Sequence, residues 1–224
     1  MIGVIILLME IVIKKIKEKL MITFGKSINT LSEFRNTKTN TTPTISQNII
    51  ENINNRIYFY ADINRGNILI LTKILKTLNN DLLYNAQIQS RDPADIYLHI
   101  NSYGGNIFDG FAGMDTILNL DVNVNTVIDG ACASAATFLS IAGDKRFMHE
   151  HSYILIHQLS TSYWGKYDEL VDDMESNDKL MKAMKNIYKQ YTKIPMKKLD
   201  EILKHDIWLT SEEAENYGLI DEVI

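Results

Sequence analysis

Ser134 stands in a run of small residues, Gly130-Ala131-Cys132-Ala133-Ser134-Ala135-Ala136, directly after a strand-like alternating segment and where an apolar helical run opens. Small neighbours let backbone approach backbone closely. A helix N-terminus offers unpaired N–H groups and the positive end of the helix dipole. Negative charge developing on an attacked carbonyl is stabilised there, so a hydroxyl at this point is useful as a nucleophile. A serine at a helix start is also a common cap, and the residues alone leave the two readings level.

A serine nucleophile needs a base within hydrogen-bond reach, and the base needs a group that orients it. The histidines are His99, His149, His151, His157 and His205. His157 closes the apolar run Tyr153-Ile154-Leu155-Ile156, so its imidazole would emerge at the C-terminal edge of a strand. Taken alone, a histidine there is more often a satisfied, half-buried side chain than a base. Asp206, in His205-Asp206-Ile207-Trp208, could orient an imidazole, but nothing local singles it out among 28 acidic residues. Gly104-Gly105 could turn N–H groups toward an oxyanion, or form a plain tight turn. His149 and His151 flank Glu150 with no third ligand near in sequence, so they read as a polar loop and no metal site is expected. Gly25-Lys26-Ser27 has the tail of a phosphate-binding loop, but Leu20 occupies the place of its first glycine, so no nucleotide site is expected on this chain.

Regular elements must hold these residues. Arg56–Tyr60 is an aromatic and β-branched run, and residues 95–101 and 122–128 alternate, so all three read as strands. Arg146–Met148 and residues 153–157 read as further strands. Residues 66–78 and 107–120 carry apolar side chains at helical spacing, and 133–142 reads as a buried helix of small residues. Residues 166–191 form a long helix of mixed charge with Leu170, Met174, Met181, Met184 and Tyr188 as its apolar stripe. Residues 196–204 and 210–217 are shorter helices, the second opened by a capping box of Thr210 and Glu213 and closed by Gly218. Strands alternating with helices predict an α/β fold with a largely parallel sheet, in which reactive groups collect beyond the carboxyl ends of the strands. The segments after Ile100, Ile128 and Ile156 are therefore where chemistry is expected.

The rest of the composition narrows the function. The chain has 224 residues, 46% hydrophobic and 23% charged, which excludes collagen-like and wholly disordered chains. A net charge of −5 disfavours nucleic acid as a partner, because phosphate binding needs a basic face. The single cysteine, Cys132, rules out an intrachain disulfide and a four-cysteine zinc site, and suits a reducing compartment. Residues 1–13 (MIGVIILLMEIVI) are apolar, but Glu10 interrupts them and they are too short to span a membrane. The basic residues follow that run rather than precede it, unlike a secretory signal, so a short apolar or amphipathic helix is expected. Residues 27–55 are rich in Asn, Thr and Ser and read as a flexible arm. The expected organisation is an N-terminal segment and arm over 1–55, and one domain over 56–224.

Several segments, in order, resemble the Clp protease proteolytic subunit family. Asn101-Ser102-Tyr103-Gly104-Gly105 is similar to its Asn-Ser-Pro-Gly-Gly segment, and Gly130–Ser134 to its Gly-x-Ala-Ala-Ser nucleophile segment. Ile156-His157-Gln158 matches its Ile-His-Gln, and Asp206-Ile207-Trp208-Leu209-Thr210 resembles its Asp-Arg-Phe-Leu-Ser. Glu213-Ala214 and Tyr217-Gly218-Leu219-Ile220-Asp221 match its C-terminal pattern. Tyr103 stands where the family has Pro, Cys132 where it has Ala, and Ser160–Trp164 lacks its paired glycines.

The resemblance implies a crotonase-like α/β fold of repeated ββα units, with residues 166–191 as a protruding handle helix. It implies a serine endopeptidase with Ser134 as nucleophile, His157 as base and Asp206 as the orienting acid. The backbone N–H groups of Gly105 and Ala135 would form the oxyanion hole, and Leu159, Ser160, Thr161, Ser162 and Tyr163 the strand that pairs with polypeptide substrate. It implies homo-oligomeric heptamer or tetradecamer rings in the cytoplasm of a bacterium or a phage-infected host. This chain would carry no cofactor, ATP being used by a partner AAA+ unfoldase. Other expectations on the same fold are a phage or viral head-maturation protease and a catalytically silent ring subunit.

Overall fold

The computed structural model of the chain describes residues 49–224. The apolar segment at 1–13, Gly25-Lys26-Ser27 and the arm as far as residue 48 lie outside the described residues.

The described part is a mixed α/β unit. Its elements run β1 (Ile49–Ile53), β2 (Arg56–Tyr60), α1 (Arg65–Gln89), β3 (Ile96–Ser102), α2 (Ile107–Leu118), β4 (Val124–Ala133), α3 (Ala136–Ile141), β5 (Arg146–Met148), β6 (Tyr153–Leu155), α4 (Tyr167–Tyr191), α5 (Met196–Ile202), α6 (Ser211–Asn216) and β7 (Glu222–Val223). The sheet order is β1-β2-β3-β4-β5-β7, with β6 also on β4. All pairs are parallel except β1 with β2. Parallel neighbours need crossovers, and the helices supply them.

Strand β1 lies inside the stretch read as a polar arm. It forms a hairpin with β2, turned by Asn54 at φ 56. Helix α1 runs past residue 78. Asn79 is buried within it, and its side-chain oxygen accepts the N–H groups of Asp121 and Val122, each at 3.0 Å. The helix stops where Ser90 turns left-handed, φ 48. The core forms where Ile57, Phe59, Leu98, Ile100 and Ile128 of the sheet meet Leu71 and Leu75 of α1 and Phe138 of α3, all 1% exposed or less.

Strand β4 positions the site. Residues 124–128 of it pair with β3, and β5 lies on its other side. The register then shifts: Ile100 pairs with Ile128, but Ser102 pairs with Cys132. Gly130 sits in this bulge at φ 88, and a Cβ there would lie 3.3 Å from the Asn101 amide nitrogen. Bulges bend a strand and re-aim the residues that come after them. Past Gly130, residues 131–133 pair with β6. The run read as a helix over 133–142 is therefore strand through Ala133 and helix only from Ala136. A run of small residues suits either state, and the backbone bonds to β6 decide it.

Arg146 fastens the C-terminal end of the unit. Its guanidinium donates to the carbonyls of Tyr191 (2.7 Å) and Gly218 (2.8 Å) and to both carboxylate oxygens of Asp221.

Candidate active site

Ser134 occupies the turn between β4 and α3, in the left-handed region at φ 55. A non-glycine residue there carries strain of about 1–3 kcal/mol, which the surroundings must hold. Two backbone bonds help to do so: the Ser134 N–H donates to the Leu155 carbonyl at 2.8 Å, and the Ser134 carbonyl accepts the Thr137 N–H at 3.0 Å. The Ser134 hydroxyl itself hydrogen-bonds to no other described residue.

Gly104 and Gly105 pass directly beneath this turn. A Cβ on Gly104 would lie 2.6 Å from the Ala133 carbonyl oxygen and 2.7 Å from the Ser134 Cβ. One on Gly105, at φ 149, would collide with the Ile63 carbonyl. The chain is held there by Ile63 N–H to Gly104 carbonyl and Asn106 N–H to Ile63 carbonyl, both 2.8 Å. Both bonds leave the Gly105 N–H unused. The Ala135 N–H is likewise donated to no other described residue, so two backbone donors stand free beside Ser134.

Ser134, His157, Gly105 and Ala135 line one cavity of about 440 Å³. His157 reaches it from the residues after β6, the strand that also anchors the Ser134 N–H. Leu159, Ser160, Thr161 and Tyr163 line it too, from a segment without regular secondary structure; Ser162, in the same segment, does not. Asp206 lies outside the cavity, with its Oδ1 3.8 Å from the His157 Nδ1 and its side chain 81% exposed. That separation is beyond hydrogen-bond length.

Helix α4 closes the opposite wall with Asp173, Ser176, Asn177, Leu180 and Met184. Their spacing of three and four residues marks one helix face, so the sequence carried the signal, on a face that shares Met184 with the apolar stripe used to place the helix. Phe138 and Tyr188 complete the floor.

A second cluster of polar groups lies apart from the cavity. Asp129 accepts from Tyr60 Oη at 2.7 Å and from His99 Nδ1 at 2.9 Å. On its other side His99 Nε2 meets Arg56 Nη1 at 2.9 Å. Guanidinium can only donate, so Nε2 accepts and the His99 proton sits on Nδ1. His149 Nε2 is 3.2 Å from Asp129 Oδ1, without hydrogen-bond geometry. Burial pushes the Asp129 carboxyl up, but the bonds from His99 and Tyr60 outweigh it and hold it below the ordinary range. His149 thus belongs to a carboxylate twenty positions earlier in sequence, while His151 is exposed. Among the described residues, no group of three or more His, Cys, Asp or Glu is arranged to hold a metal ion.

Cys132 is fully buried under the site, and burial raises its thiol pKa well above the ordinary value. Among the described residues no helix is long and apolar enough to cross a membrane.

Comparison with known proteins bears on this geometry. A family model described as Clp protease matches residues 49–224. The ATP-dependent Clp protease proteolytic subunit of Oltmannsiellopsis viridis is 33% identical over 144 residues, covering 63% of this chain and 72% of that protein. The protein of the same name from Chaetosphaeridium globosum is 33% identical over 132 residues, covering 58% of this chain and 66% of that protein.

Proposed function

We propose, from the premise that this chain belongs to the Clp protease family and is a serine-type endopeptidase of the Clp type, that Ser134, His157 and Asp206 carry out its peptide hydrolysis. The observation that supports this most is the strained Ser134 turn, sharing a cavity with His157 and flanked by two unused backbone donors. In this reading His157 Nε2 takes the Ser134 hydroxyl proton as Oγ attacks the scissile carbonyl. The N–H groups of Gly105 and Ala135 receive the oxyanion. His157 then passes its proton to the leaving amine, and water releases the acyl group by the reverse sequence. Asp206 holds the imidazole with its proton on Nδ1, and moves in from 3.8 Å to do so.

The segment from Leu159 to Tyr163 belongs to no strand of the sheet and four of its five residues line the cavity, which suits it to bind polypeptide by strand addition. Homo-oligomeric rings of seven or fourteen copies, and a partner AAA+ unfoldase that consumes ATP, complete the proposal; this chain then needs no cofactor. The working compartment is the cytoplasm of a bacterium or a phage-infected host.

Fluorophosphonate labelling of the purified chain, read by intact mass beside Ser134→Ala, tests the reading. One adduct on the parent and none on the variant is the expected result. An adduct that persists on Ser134→Ala, or a folded, assembled parent that takes none, overturns it.

A further inference from the structure

The Ser134 carbonyl accepts a second hydrogen bond, from Thr137 Oγ1 at 2.6 Å, and that hydroxyl lies 2.6 Å from the Tyr188 hydroxyl. A carbonyl has no proton to give, so the Thr137 proton is committed to it, and the Tyr188 hydroxyl must be the donor of the pair. Thr137 and Tyr188 are each 1% exposed. Burial raises the Tyr188 phenol above its ordinary pKa, which keeps that donor protonated. The Tyr188 ring packs on Phe138 at 5.8 Å between centroids, and Phe138 on Phe111 at 5.0 Å, so the hydroxyl is held in place.

The carbonyl of Ser134 and the N–H of Ala135 belong to one planar trans peptide and point in opposite directions. Fixing the carbonyl therefore fixes where the N–H points. We propose that Thr137 and Tyr188 are positioning residues for the oxyanion hole: together they clamp the 134–135 peptide so that the Ala135 N–H faces the cavity. This rests on the assignment of Ser134 and Ala135 given above. It adds that the second support of the hole comes from helix α4, through Tyr188, and not only from the turn itself.

The clamp is tested with the full-length chain and four variants: Tyr188→Phe, Thr137→Val, Thr137→Ser and Ser134→Ala. Four quantities are measured: kcat and KM for a fluorogenic peptide, the inhibition constant of a peptide boronic acid, and Tm. A boronate adduct on Ser134 directs one oxygen into the hole, so it reports the clamp where KM does not. Losing an oxyanion donor outright costs about 10²–10³ in kcat. A donor merely misaimed should cost less, about tenfold in Tyr188→Phe and more in Thr137→Val, with KM within about twofold and the boronate constant weakened by the same factor as kcat. Thr137→Ser keeps the hydroxyl and should return to near the parent on both readouts. The proposal is overturned if Tyr188→Phe and Thr137→Val lower Tm but leave kcat and the boronate constant at parental values. Turnover retained by Ser134→Ala would instead bring down the assignment of the nucleophile, and this proposal with it.

Discussion

His157 and Asp206 face each other at 3.8 Å, Nδ1 to Oδ1, with the imidazole largely enclosed and the carboxylate 81% exposed. A carboxylate so exposed contributes little to holding the fold, because solvent screens it. In the proposed triad its value lies in fixing the imidazole tautomer. Asp206→Asn should therefore leave Tm within about 1 °C of the parent while kcat falls by about 10²–10⁴, since the amide favours the wrong tautomer. Peptide turnover and a thermal melt, measured on one preparation, check both halves.

Gly104→Ala should damage the site from beneath. The new Cβ would meet the Ala133 carbonyl oxygen at 2.6 Å and the Ser134 Cβ at 2.7 Å, on a residue at φ 95. These are backbone atoms and a Cβ, which cannot swing aside, and the left-handed conformation disfavours any side chain. The expected cost is about 2–3 kcal/mol of stability and at least about 100-fold in turnover. Urea unfolding and peptide hydrolysis provide the measurements; parental turnover would show that the close approach is not needed.

Asp221 should govern part of the acid response. The Arg146 guanidinium bonded to it holds its carboxyl below the usual carboxylate range, against the opposing effect of burial. A carboxyl depressed in the folded state adds stability that is full above its unfolded pKa, about 3.9, and is lost as pH falls through the folded value. Asp221→Asn should thus lower stability by about 1 kcal/mol at pH 7, a figure kept small because the carboxylate is half exposed. The gap from the parent should stay constant above about pH 5 and close below about pH 4. Tm measured from pH 3 to pH 8 for both proteins shows whether it does.

Asp129→Ala removes the acceptor shared by Tyr60 and His99. His99 is 8% exposed and would keep a proton on Nδ1 with no partner in reach. Stranding buried donors costs about 1–3 kcal/mol each, so a loss of about 3 kcal/mol is expected. Urea unfolding should show a lower midpoint with an unchanged slope.

Much of this arrangement was legible in the chain. Alternation over 95–101 and 122–128 and the apolar run 153–156 mark three strands; the structure ends them at Ser102, Ala133 and Leu155, with Gly104-Gly105, Ser134 and His157 just beyond. The features that escaped reading did so for physical causes. Strand β1 (IIENI) has three isoleucines in five residues, but it is short and lies in an Asn-, Thr- and Ser-rich stretch that masks it, and it forms by pairing with β2. Helix α1 continues through Asn79-Asn80-Asp81, a natural stop in isolation, because Asn79 is bonded from across the fold. The partners of Asp129 come from β2, from β3 and from beyond β5, and no local pattern links them. The tie from Thr137 to Tyr188 spans 51 positions, and reads in sequence only as two core residues.

The bulge in β4 has a bearing on parity. Between the paired positions Ile100–Ile128 and Ser102–Cys132, Asn101 of β3 stands against Asp129, Gly130 and Ala131 of β4. The excess is an even number, so the alternation of sides survives the interruption, and Ile128 and Cys132 both face the interior at 0% exposure. Deleting any one of those three residues would put the remainder of the strand out of phase. Cys132 would trade its packed face for the one that Val127 and Ala133 occupy, also buried, and the hydroxyl of Ser134 would reach the turn facing the wrong side of the sheet.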